Sequence, residues 1–162
     1  MRLFSRNELF KIESAVIDWM KKNGYFLLRV SLGIVFFWFG ILKFFPGVSP
    51  AQELAIETIS IMTFGLIPDG FIINGLALWE VLIGIGLITG KFMRETLILL
   101  FLQMAGTFMP VFLFPDEIFV RFPYALSLEG QYIIKNIIII SAGIVLGGKL
   151  RKSETKTTSA GQ

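Results

Sequence analysis

The sequence predicts an all-α membrane protein: a four-helix transmembrane bundle with an N-terminal interfacial amphipathic helix and a short outer helix between spans one and two. Of the 162 residues, 54% are apolar and 17 are phenylalanine, and the mean hydropathy is +0.73. A soluble domain of this size needs far more polar surface. Several apolar runs also approach or exceed the roughly 18 residues expected of a membrane-spanning helix. We therefore expect one integral membrane domain.

The N-terminal segment, residues 1–24, predicts the interfacial amphipathic helix. Ser5 and Glu8 fit a helix capping box, and Asn23-Gly24 is a natural stop. The charged residues lie off the apolar face, which is formed by Leu9, Ile12, Val16, Trp19 and Met20. We expect this helix to lie on the membrane surface. The alternative is a soluble arm docked on a partner.

The four-span membrane domain is predicted at residues 25–148, followed by a disordered cytoplasmic tail at 149–162. The spans are expected at 25–45, 71–90, 96–114 and 128–148. In span one, small and charged residues recur at helical spacing and predict the side that faces the bundle: Arg29, Gly33, Phe36, Gly40 and Lys43.

Three further features predict local structure. Ser49 begins a short outer helix that runs to Met62, and Pro110 should kink the third span. Two GxxxG pairs suggest that spans two and four approach each other, at Gly86 with Gly90 and at Gly143 with Gly147. The alternative is that the pairs arise by chance in glycine-rich spans. The region 115–128 is expected to be a loop. The spacing of Asp116, Glu117 and Glu129 matches no recognised calcium site, and these carboxylates are expected to be solvated.

The basic residues predict the orientation in the membrane. Only Arg121, with Lys43 at its margin, lies on the expected outer side. Eleven bases lie on the other side: Arg2, Arg6, Lys11, Lys21, Lys22, Lys91, Arg94, Lys149, Arg151, Lys152 and Lys156. The positive-inside rule then predicts a multi-pass protein of the inner (cytoplasmic) membrane with both termini cytoplasmic.

Composition excludes several kinds of chemistry. The chain has no cysteine and no histidine. This absence excludes thiol redox chemistry, Cys or His metal sites and His-ligated haem. The net charge of +3 and the pI near 9.3 are compatible with nucleic-acid binding. Because the bases cluster in particular loops, we interpret them as orientation signals and expect no nucleic-acid partner and no metal.

The candidate site centres on Glu80, the one carboxylate within 71–90. A lone carboxylate at mid-bilayer is costly, so it should face the bundle interior and meet a partner. Lys135 is estimated to lie about one helical turn from the depth of Glu80, which its flexible stem can cover. We predict a Glu80–Lys135 pair with Lys43 above it. Other residues are expected to complete or line the site: Gln131, Asn136, Gln103 and Trp79.

Two interpretations of these charges remain open. A buried ion pair can fix helix register without any ligand. Alternatively, the groups line an outward-facing pocket for a polar or quinone-like ligand. Two lysines against one carboxylate leave an excess positive charge, which favours an anion or a polarised carbonyl. The loop carboxylates Glu53 and Glu57 oppose an anion.

Three stretches carry a family resemblance: LLRVSLGIVFFWFGILKF, WEVLIGIGLITG and LEGQYIIKNIIIISAGIVLG. Over roughly residues 25–150 the chain resembles the DoxX family of small membrane proteins. Lys43 and Glu80 match family-type positions, and the motif with Lys135 and Asn136 is the most specific part.

The resemblance implies a four-helix membrane bundle. DoxX members include subunits linked to quinone-dependent oxidation, such as thiosulfate:quinone oxidoreductase, and proteins tied to oxidative-stress defence. We therefore expect an inner-membrane subunit of a redox complex, with quinone as its ligand. Besides the bilayer, its expected partner is another subunit or a second copy. A non-catalytic structural or assembly subunit and a small-molecule transporter are the alternatives, and the sequence assigns no catalytic residue.

Overall fold

A computed structural model describes residues 6–45, 47–49 and 52–158, with side chains as far as Leu150. Within these residues, four helical segments are long and apolar enough to cross a membrane: Arg6–Leu42, Asp69–Thr89, Met93–Leu113 and Leu128–Leu150. The predicted helical protein with four membrane-length helices is therefore confirmed.

The first part of the chain forms four helices: α1 (Arg6–Leu42), α2 (Gln52–Met62), α3 (Asp69–Thr89) and α4 (Met93–Phe108). Helix α3 packs along α1, and α2 lies beside α3. The predicted outer helix is thus present from Gln52, whereas Pro50 and Ala51 lie outside the described residues.

The second part forms α5 (Pro110–Leu113), α6 (Pro115–Ile118), a hairpin of β1 (Phe119–Arg121) and β2 (Ala125–Leu126), and α7 (Leu128–Thr158). The third span is interrupted at Met109, before Pro110, as the proline predicts. The α6 turn and the hairpin occupy the region predicted as loop. We call the side of the bundle with α2, α6 and the hairpin the loop end, and the opposite side the terminal end.

Glycines bring α1 and α3 into close contact. A Cβ added at Gly40 would lie 2.8 Å from the backbone nitrogen of Val81, and one at Gly33 would lie 2.9 Å from that of Ile88. On the facing helix, a Cβ at Gly84 would lie 2.7 Å from the Cα of Phe37. Only hydrogen fits at these three positions, so the two backbones touch. The predicted bundle-facing stripe of α1 is confirmed, because its central residues are buried.

Two apolar clusters hold the bundle together. The larger cluster joins α1, α3, α4 and α7 around the fully buried residues Ile83, Leu87, Leu100 and Leu146. The smaller one lies at the loop end and contains Leu54, Ile118 and Ile133. It fixes α2, α6 and the hairpin against the first turns of α7.

Helix boundaries at the two termini differ from the prediction. Helix α1 continues through Asn23 and Gly24 without a break, so the predicted stop there is wrong. A glycine ends a helix by adopting positive φ, which Gly24 does not, and an interior glycine costs only about 1 kcal/mol. Helix α7 likewise continues to Thr158 instead of ending at 148, while Ser5 and residues 159–162 lie outside the described residues.

The predicted contact between spans two and four is also wrong. Gly86 of α3 packs against Thr96, and Gly143 of α7 packs against Leu100 and Phe101. All three partners belong to α4, which lies between the two glycine-bearing helices. Gly90 has a different role, since it ends α3 in the left-handed conformation with a φ of 72°.

Candidate functional site

Glu80 is the centre of a buried polar triad that links three helices. Its Oε2 lies 2.6 Å from the Nζ of Lys43, which follows the last residue of α1. Its Oε1 accepts a 2.9 Å hydrogen bond from the Nε2 of Gln103 on α4. Both carboxylate oxygens are therefore occupied, and the side chains of Lys43 and Glu80 are only 13% and 11% exposed. We call Lys43, Glu80 and Gln103 the polar triad.

The glycine contact between α1 and α3 explains why Lys43 reaches Glu80. A Cβ at Gly40 would lie 3.0 Å from the Cβ of Glu80, so the lysine stem starts almost beside the carboxylate. Helix α1 ends at Leu42, while α3 extends further toward the loop end, where α2 packs against it. Lys43 follows Gly40 by three residues, so its backbone lies nearer the loop end than Glu80, and its side chain reaches the carboxylate.

Lys135 does not pair with Glu80, so the predicted Glu80–Lys135 pair is wrong. Its side chain is exposed, and its Nζ lies 5.4 Å from the ring centroid of Tyr132. Ile133, two residues earlier, is buried. Two residues turn a helix by about 200°, so Lys135 lies on the opposite side of α7, away from the bundle.

The other predicted site residues contribute elsewhere. Asn136 donates a 3.4 Å hydrogen bond to the hydroxyl of Thr107, which joins α7 to α4. The Nε1 of Trp79 donates to the carbonyl oxygen of Leu99 at 3.1 Å, which joins α3 to α4. Gln131 is exposed. Of the seven predicted residues, the structure brings together only the polar triad.

Arg29 has a role that the sequence analysis missed. Its Nη1 donates to the carbonyl oxygens of Leu87 and Ile88, at 2.6 and 3.2 Å. These carbonyls belong to the last turn of α3, where a positive charge also opposes the negative end of the helix dipole. The sequence did place Arg29 on the bundle-facing stripe of α1. The sequence alone does not say, however, which helix end the Arg29 side chain contacts.

A second group of carboxylates lines an open cavity of about 700 Å³ at the loop end. They are Glu53 and Glu57 of α2, Glu117 of α6 and Glu129 of α7. The sequence analysis noticed these residues but could not bring them together, since they come from three elements. Among the described residues, no group of three or more carboxylates is arranged to hold a metal ion.

Comparison with known proteins identifies the family. No curated protein and no solved structure matches this chain. The DoxX family model matches residues 24–114, which is more than half of the chain and includes the whole polar triad. The match ends before α7, so the motif with Lys135 and Asn136, expected to be the most specific, lies outside it. The chain belongs to the DoxX family of membrane proteins.

Proposed function

We propose that this protein is a membrane subunit of a redox-linked complex and holds a quinone-type carbonyl ligand against Lys43. The proposal rests on one observation about the polar triad: both carboxylate oxygens of Glu80 accept a hydrogen bond, whereas the ammonium of Lys43 uses only part of its donors. A lysine ammonium has three N–H donors. Among the described residues, the ammonium of Lys43 donates to Glu80 alone. Unused donors in a lipid-embedded site are costly, so a ligand carbonyl or water is expected to accept from them.

The charge of the triad favours a neutral ligand. Since Lys135 is exposed on the far side of α7, one lysine faces one carboxylate and no positive excess remains. The open cavity at the loop end, which no triad residue lines, adds four carboxylates. An anion is therefore disfavoured, in contrast to the expectation from two lysines. A carbonyl oxygen, which accepts hydrogen bonds without carrying a full charge, suits the remaining donors of Lys43.

A partner subunit is expected to supply the redox centre. The full sequence has neither cysteine nor histidine, so the usual protein ligands of haem and iron–sulfur centres are lacking. The outward side of α7 favours the presence of a partner subunit, because Gln131 and Lys135 are exposed there beside Tyr132. Polar residues within a span seldom face lipid. A second subunit or a second copy that covers this side would remove them from the lipid.

Equilibrium binding of a short-chain quinone tests the ligand proposal. The protein is reconstituted in lipid nanodiscs and titrated, with wild type compared to Lys43→Met and to the matched control Lys135→Met. We expect saturable binding by wild type and by the control, and at least a tenfold weaker affinity for Lys43→Met, corresponding to about 1.4 kcal/mol. Absence of saturable binding by the wild type would reject the ligand proposal without reference to any variant.

A structural or assembly subunit is the second candidate, and one observation favours it. Both oxygens of Glu80 are used within the protein, and together they join α1, α3 and α4. In this case the triad stabilises the bundle and no ligand is needed. The two candidates separate in the titration: a purely structural triad gives no quinone binding in a wild-type protein that is fully folded.

The orientation in the inner membrane is part of the same proposal. Ten bases at the terminal end of the described chain, against Arg121 at the loop end, favour cytoplasmic termini. Because the chain has no cysteine, single cysteines at exposed positions report sidedness. In intact cells, a membrane-impermeant maleimide should label Glu117→Cys and not Ser14→Cys. Labelling in the opposite pattern would contradict the orientation.

A further inference from the structure

The first part of α1, residues 6–24, extends past the ends of α3 and α4 at the terminal end, where α7 also continues beyond Leu146. Every residue from Arg6 to Lys22 is exposed. Contacts with the other helices begin at Tyr25, whose hydroxyl donates to the carbonyl oxygen of Leu146 at 3.5 Å. A helix of 37 residues is about 56 Å long, nearly twice the roughly 30 Å of the hydrocarbon layer. We call residues 6–24 the N-terminal extension.

The apolar side of the extension is aligned with the lipid-facing side of the span. Leu27, Ile34 and Trp38 are exposed on the side of α1 that faces away from the bundle. Residues 18 apart are separated by five full turns and share one side of a helix. Counting back 18 residues from these three gives an exposed apolar line on the extension, which Glu13 borders: Leu9, Val16 and Met20.

The polar side of the extension is aligned with the bundle-facing side in the same way. Lys11 lies 18 residues before Arg29, and Lys22 lies 18 residues before Gly40. Arg29 and Gly40 both face the bundle. The extension therefore repeats the two-sided pattern of the span, although its residues from Arg6 to Lys22 are all exposed.

This alignment is what docking on the bilayer requires. If α1 stays straight, the apolar line passes from lipid into water at the terminal end. If the extension instead bends away from the bundle where it leaves the membrane, the side that faced outward turns toward the lipid surface. The apolar line then stays in contact with the bilayer along its whole length, and the lysines point into water.

Asn23 and Gly24 are suited to this bend. A Cβ added at Gly24 would meet nothing within 4 Å, so no neighbouring helix packs against this position. Glycine also weakens a helix by about 1 kcal/mol relative to alanine. The Nδ2 of Asn23 already donates to the carbonyl oxygen of Trp19, at 2.9 Å. This bond lies on one side of Gly24, so it is kept when the backbone bonds across Gly24 open.

The bilayer fits the apolar line better than a second copy of the chain. Close pairing of helices within a membrane uses small residues, whereas this line carries Leu27, Ile34 and Trp38. Lys21 and Lys22 lie at the level where the helix leaves the bundle and suit anionic headgroups. We propose that the N-terminal extension docks on the lipid surface at the terminal end by bending at Asn23–Gly24.

Spin labels on single cysteines test this docking in the full-length protein, since the natural chain has no cysteine. Val16→Cys reports the apolar side and Asp18→Cys the polar side, about 200° apart. Each labelled protein is reconstituted in nanodiscs of phosphatidylcholine and phosphatidylglycerol. Collision rates are measured with oxygen, which enters lipid, and with a water-soluble nickel complex.

Docking predicts a label at residue 16 that is several-fold more accessible to oxygen than to nickel, with the reverse at residue 18. Equal access of nickel to both labels would overturn the proposal. So would spin–spin broadening at residue 16 that disappears on dilution with unlabelled protein, because a second copy would then cover this side. Gly24→Ala should lower the docked population about fivefold, as its greater helix propensity implies. An unchanged population would reject the bend at Gly24.

Discussion

Two lysines near the loop end, Lys43 and Lys135, show how differently the same side chain can be used within one bundle. Lys43 is only 13% exposed and forms a 2.6 Å ion pair with Glu80. Lys135 is exposed on the outward side of α7, where its ammonium lies over the ring of Tyr132. Its side chain leans one turn toward the loop end, as expected of a lysine that reaches for the membrane surface.

The difference shows that rotation about the helix axis matters more than depth along it. Judged by depth alone, either lysine can reach Glu80. Gly40 fixes the rotation of α1 by placing its backbone against Val81, and Lys43, three residues later, faces the same helix. In α7, the buried residue Ile133 lies about 200° from Lys135 and so turns that lysine away from the bundle at this level. The variants below test this contrast, in order of decreasing expected effect.

Lys43→Leu should have the largest effect on stability. It leaves the carboxylate of Glu80 buried without its cation, which costs about 3–5 kcal/mol when one partner of a buried pair is removed. Reversible unfolding of the purified protein in mixed micelles, followed by circular dichroism, measures the loss. A loss below about 1 kcal/mol would mean that Glu80 does not depend on Lys43.

Gly40→Val tests the contact that positions Lys43. The added Cβ would lie 2.8 Å from the nitrogen of Val81, so α1 and α3 must separate. We expect a loss of about 1–3 kcal/mol in the same unfolding assay. Gly75→Val is the matched control, because Gly75 lies in α3 and a Cβ there meets nothing within 4 Å. Equal losses for the two variants would contradict the role of the close contact.

Gln103→Leu removes the second hydrogen bond to Glu80 and leaves the ion pair intact. Interhelical hydrogen bonds in membranes contribute about 0.6 kcal/mol on average, and bonds to charged groups contribute more, so we expect a loss of about 1 kcal/mol. Gln131→Leu is the matched control, since Gln131 is exposed on α7. The prediction fails if the control loses as much stability as Gln103→Leu.

Lys135→Leu should have the smallest effect on the isolated protein, within about 0.5 kcal/mol, because the side chain is exposed and has no buried partner. When Lys135→Leu is purified from cell membranes in mild detergent, however, we expect less partner subunit, or less oligomer, to be recovered with it. Native gels quantify the recovery. A stability loss as large as that of Lys43→Leu would mean that Lys135, and not only Lys43, supports the polar triad.

The fold was largely predictable, and the site only in part, for a common physical reason. Apolar length predicted the four spans, and the stripe from Arg29 to Lys43 predicted the bundle-facing side of α1. Hydropathy says which residues lie in the membrane but not which helices are neighbours. The sequence therefore identified Glu80, Lys43 and Gln103 as site residues, yet paired Glu80 with Lys135 because α7 was assumed to turn that residue inward.

The central claim is that Glu80 is coupled to Lys43 and not to Lys135, and paired double-mutant cycles test it most directly. Unfolding free energies are measured for Lys43→Leu, Lys135→Leu, Glu80→Leu and the two double variants. We predict a coupling of at least about 1.5 kcal/mol between positions 43 and 80, and a coupling within about 0.5 kcal/mol of zero between positions 135 and 80. Coupling of equal size in the two cycles, or a larger value for position 135, would contradict the account.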